Sequence, residues 1–264
     1  MTTTAEATQL ARWERRDAVA LITLDRPPKL NAISVPLVED TARVLREADA
    51  DPEVRAAVLN GAGRAFSSGG DLADVGARVV GGEPLPRLDV MRRLHPLITG
   101  LRDTRLPVVA AVSGPAYGAG WSTVLACDLV VAARDARFCQ VFVRRNLVPD
   151  LGSAWLLPRA VGAHLAKELM LLGDEISAER AHELGLVNRL VDTREEAEAE
   201  AFALAARLAE VIPGTMAMTK ELINRSQALT LEDSLRLEQH AQAMALGTPQ
   251  TLAAMEAFLS KQAT

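Results

Sequence analysis

The sequence predicts an α/β core followed by a helical C-terminal region. Short β-rich runs recur along the first part of the chain, and most of them end in turns rich in glycine or proline. A helix-like segment separates the first two runs, which is the order of a βαβ unit. After Thr193 the chain becomes charged, alanine-rich and amphipathic, and strand signals are few. We therefore divide the chain into a core of residues 1–193 and a helical region of residues 194–264.

The first βαβ unit begins with a strand at residues 19–24. The pair Pro27-Pro28 follows it, and proline cannot continue a central strand. Residues 36–50 then place apolar side chains at roughly helical spacing. A second β-rich run at 56–60 ends at a glycine and completes the unit. The handedness rule for such units places the helix across the sheet.

Two more strands are predicted downstream, at residues 108–112 and 129–132. The segment 106–127 has no charged residue and is long enough to cross a bilayer. Its prolines and glycines divide it into a strand, a turn and the start of a buried helix, so we interpret it as core. A glycine-rich loop is predicted at 79–86.

Composition excludes several classes of function. Of the 264 residues, 49% are hydrophobic and 24% charged, which is typical of a folded soluble protein. A net charge of −5 argues against nucleic-acid binding, which requires clustered lysine and arginine. The N-terminus lacks the features of a secretory signal, and the spacing of Cys127 and Cys139 matches no metal motif. We expect a cytoplasmic protein with reduced thiols, no membrane partner, and no metal or redox cofactor.

Two loops place small residues where a backbone must approach a ligand closely. They are residues 67–71 and 114–120, and each follows a β-rich run. Glycine there leaves backbone N–H groups accessible, as an oxyanion hole requires. From composition alone, a pair of ordinary tight turns is the alternative.

These loops belong to a set of ordered landmarks that resembles the crotonase superfamily, the enoyl-CoA hydratases and isomerases. The early turn, the two loops and two later segments match in order and span almost the whole chain; they are residues 25–32, 65–72, 107–128, 157–162 and 178–187. The resemblance implies a crotonase-like spiral of ββα units. It also implies an acyl-CoA or enoyl-CoA substrate and assembly into a homotrimer or a dimer of trimers.

The resemblance further implies that the N–H groups of Ser68 and Ala119 hold the negative charge of an enolate. Alanine stands where the family usually has glycine. Substrate contacts are implied along the same landmarks, with coenzyme A entering only as part of the substrate. The implied set is Lys29, Leu30, Ala32, Arg64, Ala65, Ser67, Gly69, Asp71, Leu72, Tyr117, Gly118, Ser122, Phe142 and Lys261. Tyr117 either assists the enolate or packs against the acyl chain, and Asp71 is expected mainly to cap the next helix.

The acid–base residues depart from the hydratase pattern. Family hydratases carry two glutamates at the positions that hold Ser122 and Phe142 here. Asp150 instead stands where several family isomerases, including the ring-enoyl-CoA isomerases of the phenylacetate type, carry their base. One carboxylate beside an oxyanion hole can move a proton between two carbons without water. The other interpretation of Asp150 is a helix N-cap.

We therefore expect an enoyl-CoA isomerase that uses Asp150 as its base, desolvated by apolar neighbours such as Leu147, Leu151 and Trp155. One alternative is a hydratase or other acyl-CoA lyase that recruits Ser122 or an ordered water. Another is an acyl-CoA-binding protein that has lost the chemistry.

Overall fold

The computed structural model describes residues 9–73, 76, 81–82 and 88–262. Most of the predicted glycine-rich loop at 79–86 lies outside these residues.

The described strands form two sheets. The larger has six strands in the order β1-β2-β3-β4-β6-β9, in which β1 pairs antiparallel with β2 and the remaining pairs are parallel. Its strands are β1 Ala11–Arg16, β2 Val19–Leu24, β3 Ala56–Gly61, β4 Val108–Val112, β6 Leu129–Ala133 and β9 Arg189–Val191. The smaller sheet consists of β5 Pro115–Tyr117, β7 Arg137–Cys139 and β8 Glu175–Ser177.

Ten α-helices are present in the described residues. They are α1 Val35–Ala50, α2 Leu88–Asp103, α3 Ala119–Leu125, α4 Ser153–Val161, α5 Ala163–Leu172, α6 Ala178–Glu183, α7 Arg194–Ala209, α8 Pro213–Ser226, α9 Leu231–Leu246 and α10 Pro249–Gln262. Two short 3-10 turns occur at Pro27–Lys29 and Val141–Arg145.

The four predicted strands and the first βαβ unit are confirmed, since β2 and β3 run parallel on either side of α1 in the chain. Strand β1 was not predicted from the sequence. This edge strand is rich in arginine and exposes most of its residues, a composition that protects sheet edges but obscures the strand signal.

The large sheet is covered on both faces. Alternate residues of its strands face opposite sides, as the two-residue period of a strand requires. One face packs with α1 and α2 in the main core, through side chains such as Ile22 and Leu59. The other face packs against α7 through small residues such as Ala197 and Ala201. The division at residue 193 is therefore a change in secondary structure, because α7 shares a hydrophobic core with the sheet.

Helix α8 is fixed to the core by a buried ammonium group. Lys220 Nζ donates to the carbonyl oxygens of Leu101 and Leu106, both at 2.8 Å, and pairs with Asp128 Oδ2 at 2.7 Å. Asp128 also accepts a hydrogen bond from Val108 N at 2.7 Å. The three acceptors satisfy the charge of Lys220, whose side chain is only 5% exposed.

No single helix in the described parts of the chain is both long and apolar enough to cross a membrane; α7 and α8 pass such a test only as a pair bent by 109°.

Asn31 joins the early turn to the first small-residue loop. It is fully buried, and its backbone φ of 52° lies in the left-handed region that asparagine tolerates. Its Nδ2 donates to the carbonyls of Ala62, Ala65 and Phe66 at 2.9 to 3.2 Å, and its Oδ1 accepts from Arg26 N. One side chain therefore holds two segments that are about 30 residues apart in sequence.

We predict that Asn31→Asp destabilises the protein by at least about 2 kcal/mol, because it removes donors from buried carbonyls and places a carboxylate against them. Asn146→Asp is the matched control, since Asn146 has a similar left-handed φ of 55° but is exposed. Urea unfolding of both variants measures the difference. Equal stability of the two variants would contradict the role assigned to Asn31.

Candidate active site

The two small-residue loops lie side by side. Ser67 and Ala116 form a parallel β-bridge, in which Ser67 N donates to Pro115 O and Tyr117 N donates to Ser67 O, both at 3.0 Å. The loop after β3 is thereby held against the turn that leads from β5 into α3.

Small residues are required where these loops meet. A Cβ on Gly69 would lie 2.7 Å from the carbonyl oxygen of Tyr117, and a Cβ on Gly120 would lie 2.7 Å from Ser67 Cβ. Gly69 also has a φ of 97°, which L residues rarely adopt. Substitution of either glycine would force the loops apart.

The second loop offers an unpaired backbone donor. Ala119 is the first residue of α3, so its N–H has no acceptor within the helix. No other described residue accepts from it. The Ala119 N lies 3.8 Å from the position a Cβ on Gly69 would occupy, which places this donor next to the first loop.

The predicted donor of the first loop is already engaged. Ser68 N donates to Leu30 O at 2.9 Å, so this N–H cannot also hold an oxyanion in this conformation. Gly70 is the better placed donor. Gly70 forms a parallel β-bridge with Ile33, in which Ile33 N donates to Gly69 O and Asp71 N donates to Ile33 O. The N–H of Gly70 itself is therefore directed away from Ile33. It donates to no described residue, and the space beside Gly70 is open.

Asp150 lies in a sharply turned loop before α4. The next two residues, Leu151 and Gly152, both have left-handed backbones, with φ of 47° and 75°. The carbonyl oxygen of Asp150 accepts from Ser153 N at 3.1 Å, Ser153 Oγ at 3.0 Å and Ser122 Oγ at 3.2 Å. Helix α4 is capped by Gly152, without a side-chain hydrogen bond. The N-cap interpretation of Asp150 is therefore wrong.

The carboxylate of Asp150 is the unusual group of the site. Its Oδ1 is buried and accepts no hydrogen bond from the described residues. Burial raises the pKa of Asp150 from 3.8 to about 6, and the cationic form of nearby His95 opposes part of this rise. A carboxylate with a raised pKa and a free lone pair is a competent general base near neutral pH.

The two positions at which the resemblance places the glutamates of hydratases carry no titratable group. Ser122 is fully buried, and its Oγ lies 3.1 Å from Gly118 O and 3.2 Å from Asp150 O. The ring of Phe142 packs beside the second loop, with Cζ 3.4 Å from where a Cβ on Gly118 would lie.

Several other predicted contact residues are buried in the scaffold. Ser67 is fully buried, donating to Asn31 O at 2.8 Å and accepting from Gly69 N at 3.2 Å. Its hydroxyl is thus bound to backbone groups, which does not fit a substrate contact. Ala32, Ala65 and Gly69 are also buried.

The charged and polar members of the predicted set differ in their partners. Asp71 pairs with Arg26 at 2.6 Å, and the Tyr117 hydroxyl bonds to Glu175. Burial and this bond raise the pKa of Tyr117 to about 12.

The side chains of Lys29 and Arg64 are exposed and form no ion pair with described residues. Leu30 and Leu72 are partly exposed, and the side chain of Lys261 lies outside the described residues.

Of the apolar neighbours predicted for Asp150, Leu151 is buried, whereas Leu147 is 45% exposed. Two guanidinium groups contact the ring of Trp155, those of Arg102 at 4.8 Å and Arg159 at 4.0 Å from the ring centroid. Helix α2 also lies close to this loop, since Ile98 Cγ2 would be 3.7 Å from a Cβ on Gly152.

Comparison with known proteins identifies the family. A family profile described as Enoyl-CoA hydratase/isomerase matches residues 14–264. The chain belongs to this family. Members of the enoyl-CoA hydratase/isomerase family act on acyl-CoA thioesters, so the predicted substrate class and fold are confirmed at this level.

The similar proteins include both named activities of the family. The chain is 37% identical to a 1,2-epoxyphenylacetyl-CoA isomerase of Escherichia coli, over 92% of this chain and 93% of that protein. It is 36% identical to a probable enoyl-CoA hydratase of Rhodobacter capsulatus, over 95% of each. The crystal structure of an enoyl-CoA hydratase from Polaromonas superposes with a TM-score of 0.89 at 35% identity, covering 95% of this chain and 97% of that one.

We predict that Asp150→Asn raises the Tm of this family member at about pH 8 by at least about 2 °C. Since folding raises the pKa of Asp150, the folded chain favours the protonated acid more than the unfolded chain does. Ionisation therefore lowers stability as the pH rises from about 4 through about 6, and asparagine removes this penalty. At about pH 4 the two proteins should melt alike.

Asp128→Asn is the contrasting control for this measurement. It removes the carboxylate partner of the buried Lys220 ammonium and should lower the Tm at about pH 8. A Tm of Asp150→Asn that is equal to or below that of the wild type at this pH would contradict the unpaired, desolvated carboxylate.

Proposed function

We propose that the protein is an enoyl-CoA isomerase that shifts a double bond by a 1,3-proton transfer through an enolate. The observation that carries this proposal is the carboxylate of Asp150, whose Oδ1 is buried and accepts no hydrogen bond from the described residues, and whose pKa burial raises to about 6. It lies on a loop that is hydrogen-bonded to the second small-residue turn through Ser122.

In the proposed reaction Asp150 removes a proton from C2 of a 3-enoyl-CoA thioester. The electron pair moves onto the thioester carbonyl, which becomes the oxygen of a dienolate. Asp150 then returns the proton to C4, and the carbonyl re-forms as the double bond moves to C2. The base ends in its starting state, so neither water nor a redox or metal cofactor takes part.

The N–H groups of Ala119 and Gly70 are the proposed donors to the enolate oxygen. Both are unpaired within the described residues and belong to loops held together by the Ser67–Ala116 bridge. Removal of one such donor typically costs about 2.7–4 kcal/mol of transition-state stabilisation. Ser68 leaves the donor pair because its N–H binds Leu30.

The alternatives are less well supported by the site. Hydration requires one group to activate water and another to manage the proton at C2. Ser122 is fully buried and its hydroxyl faces backbone carbonyls, so it is poorly placed to activate water. A protein that only binds acyl-CoA would have no use for a desolvated carboxylate, whose ionisation lowers stability.

Exposed side chains support proposals for substrate capture and for assembly. Lys29 and Arg64 are exposed cations that could meet the phosphates of coenzyme A, the non-reacting part of the substrate. A homotrimer or a dimer of trimers is supported by exposed apolar side chains on α8, α9 and α10, including Ile223, Leu231, Met244 and Phe258. A cytoplasmic location, without nucleic-acid or membrane partners, completes the proposal.

We predict that Asp150→Asn lowers the isomerisation of 3-enoyl-CoA thioesters by at least about 10²-fold, the lower range for general acid–base catalysis. The KM should change little, because shape is kept and only basicity is lost. For the wild type, kcat should rise with pH and level off above about 6, where Asp150 is ionised. Asp174→Asn is the control, an exposed carboxylate paired with Arg144. Wild-type turnover in Asp150→Asn would remove Asp150 from the mechanism.

We predict that Ala119→Pro abolishes most activity while the protein still folds. Proline is tolerated at the first position of a helix, and here it deletes an N–H that donates to none of the described residues. Ala119→Gly keeps the N–H and should remain active. Circular dichroism and size-exclusion chromatography verify folding and assembly. A folded Ala119→Pro enzyme with unchanged kcat would exclude this N–H as a donor.

A further inference from the structure

Ser122 occupies an unusual position between the two parts of the site. Its single hydroxyl proton lies between two backbone carbonyls, Gly118 O at 3.1 Å and Asp150 O at 3.2 Å. The side chain is fully buried, so these carbonyls rather than solvent are its partners. The first belongs to the turn that begins α3, and the second belongs to the loop before α4.

The Gly118 carbonyl is part of the peptide unit that ends in the Ala119 N–H. A peptide unit is planar, so a hydrogen bond to its oxygen also orients its N–H. The same bond polarises the unit and strengthens the N–H as a donor. Gly118 N is held as well, by Cys139 O at 2.8 Å, and Ser122 N donates to Gly118 O at 2.9 Å.

The Asp150 carbonyl is the corresponding anchor for the base. Oδ1 of the carboxylate accepts no hydrogen bond from the described residues. The orientation of the carboxylate therefore depends largely on the hydrogen bonds that hold the backbone of Asp150. Leu151 and Gly152 turn the chain sharply just beyond it. Ser153 holds this carbonyl from within its own loop, whereas Ser122 connects it to a different element.

We infer that Ser122 is a positioning residue that sets the distance and orientation of the Asp150 base relative to the Ala119 N–H. This inference rests on the proposed function, because it assigns Ser122 a task within the same reaction. Ser122 acts through the two carbonyls and does not touch the substrate. The position that carries a catalytic glutamate in hydratases would then carry a structural link between donor and base.

Ser122→Ala removes the link at little cost to the helix, since alanine is the best helix former. We expect kcat for isomerisation to fall by roughly 10- to 10²-fold, the scale of a misplacement near 1 Å, with KM little changed. The acid limb of the pH–rate profile should also move to lower pH, because a released Asp150 loop lets its carboxylate meet water. His95 from α2 faces Asp150 in both proteins and stays constant in the comparison.

Ser153→Ala is the matched control. It removes a hydroxyl that donates to the same Asp150 carbonyl at 3.0 Å and leaves Ser153 N and the Gly118 peptide untouched. Its kcat and acid limb should change much less than those of Ser122→Ala, because Ser153 N still holds the carbonyl and the link to Gly118 is intact. Ser122→Thr keeps the hydroxyl and should recover most of the activity lost in Ser122→Ala, and thermal melts confirm that each variant is folded.

The outcomes separate the inference from the proposed function. If Asp150→Asn is inactive while folded Ser122→Ala keeps the wild-type kcat and acid limb, the positioning role is wrong and the base assignment stands. A Ser153→Ala enzyme impaired as strongly as Ser122→Ala would also overturn the inference, since the link to Gly118 would then be irrelevant. If Asp150→Asn keeps its activity, the proposed function itself fails.

Discussion

A buried carboxylate with an oxygen that accepts no hydrogen bond is costly for a folded chain, and the site of this protein is arranged around that feature. Asp150 has such an oxygen among the described residues, and burial raises its pKa to about 6. Burial raises the pKa of Asp128 as well, but its carboxylate has partners, the ammonium group of Lys220 and the N–H of Val108. Asp128 is thus a scaffold contact, whereas the proposed function uses the unpaired oxygen of Asp150 for proton transfer.

The proposed oxyanion donors are subject to a similar constraint. Backbone N–H groups in a folded protein almost always find an acceptor, so a site that needs unpaired ones must prevent local pairing. The turn into α3 does this for Ala119, whose N–H precedes the first intrahelical bond. The bridge to Ile33 leaves the Gly70 N–H unpaired, because Ile33 forms its hydrogen bonds with Gly69 and Asp71. The close approach of the loops then accounts for Gly69 and Gly120, where a side chain would collide with the opposite loop.

The elements that could be predicted from the sequence are those whose composition is determined by apolar burial alone. The buried strands β2, β3, β4 and β6 were predicted from apolar runs, because the large sheet is covered on both faces. Edge strand β1 was missed because its charged residues serve solubility at the edge. Asp150 was selected by resemblance, but its second interpretation as a helix cap could be rejected only from the position of Gly152 at the start of α4.

The detailed donor assignment was beyond the sequence for a physical reason. Whether Ser68 or Gly70 offers a free N–H depends on which backbone groups pair with Leu30 and Ile33, and a run of small residues carries no signal of that pairing. The hydroxyl of Ser122 poses the same difficulty. Its partners, Gly118 and Asp150, lie four and 28 positions away, so the link exists only after the chain has folded.

The central claim is that a single carboxylate moves a proton between two carbons of an enoyl-CoA thioester. Its most direct test compares two rates of the wild-type enzyme under the same conditions: conversion of a 3-enoyl-CoA to the 2-enoyl isomer, and addition of water to crotonyl-CoA. With one base and no second group to activate water, isomerisation should exceed hydration by at least about 10²-fold. Hydration as fast as isomerisation would contradict the account.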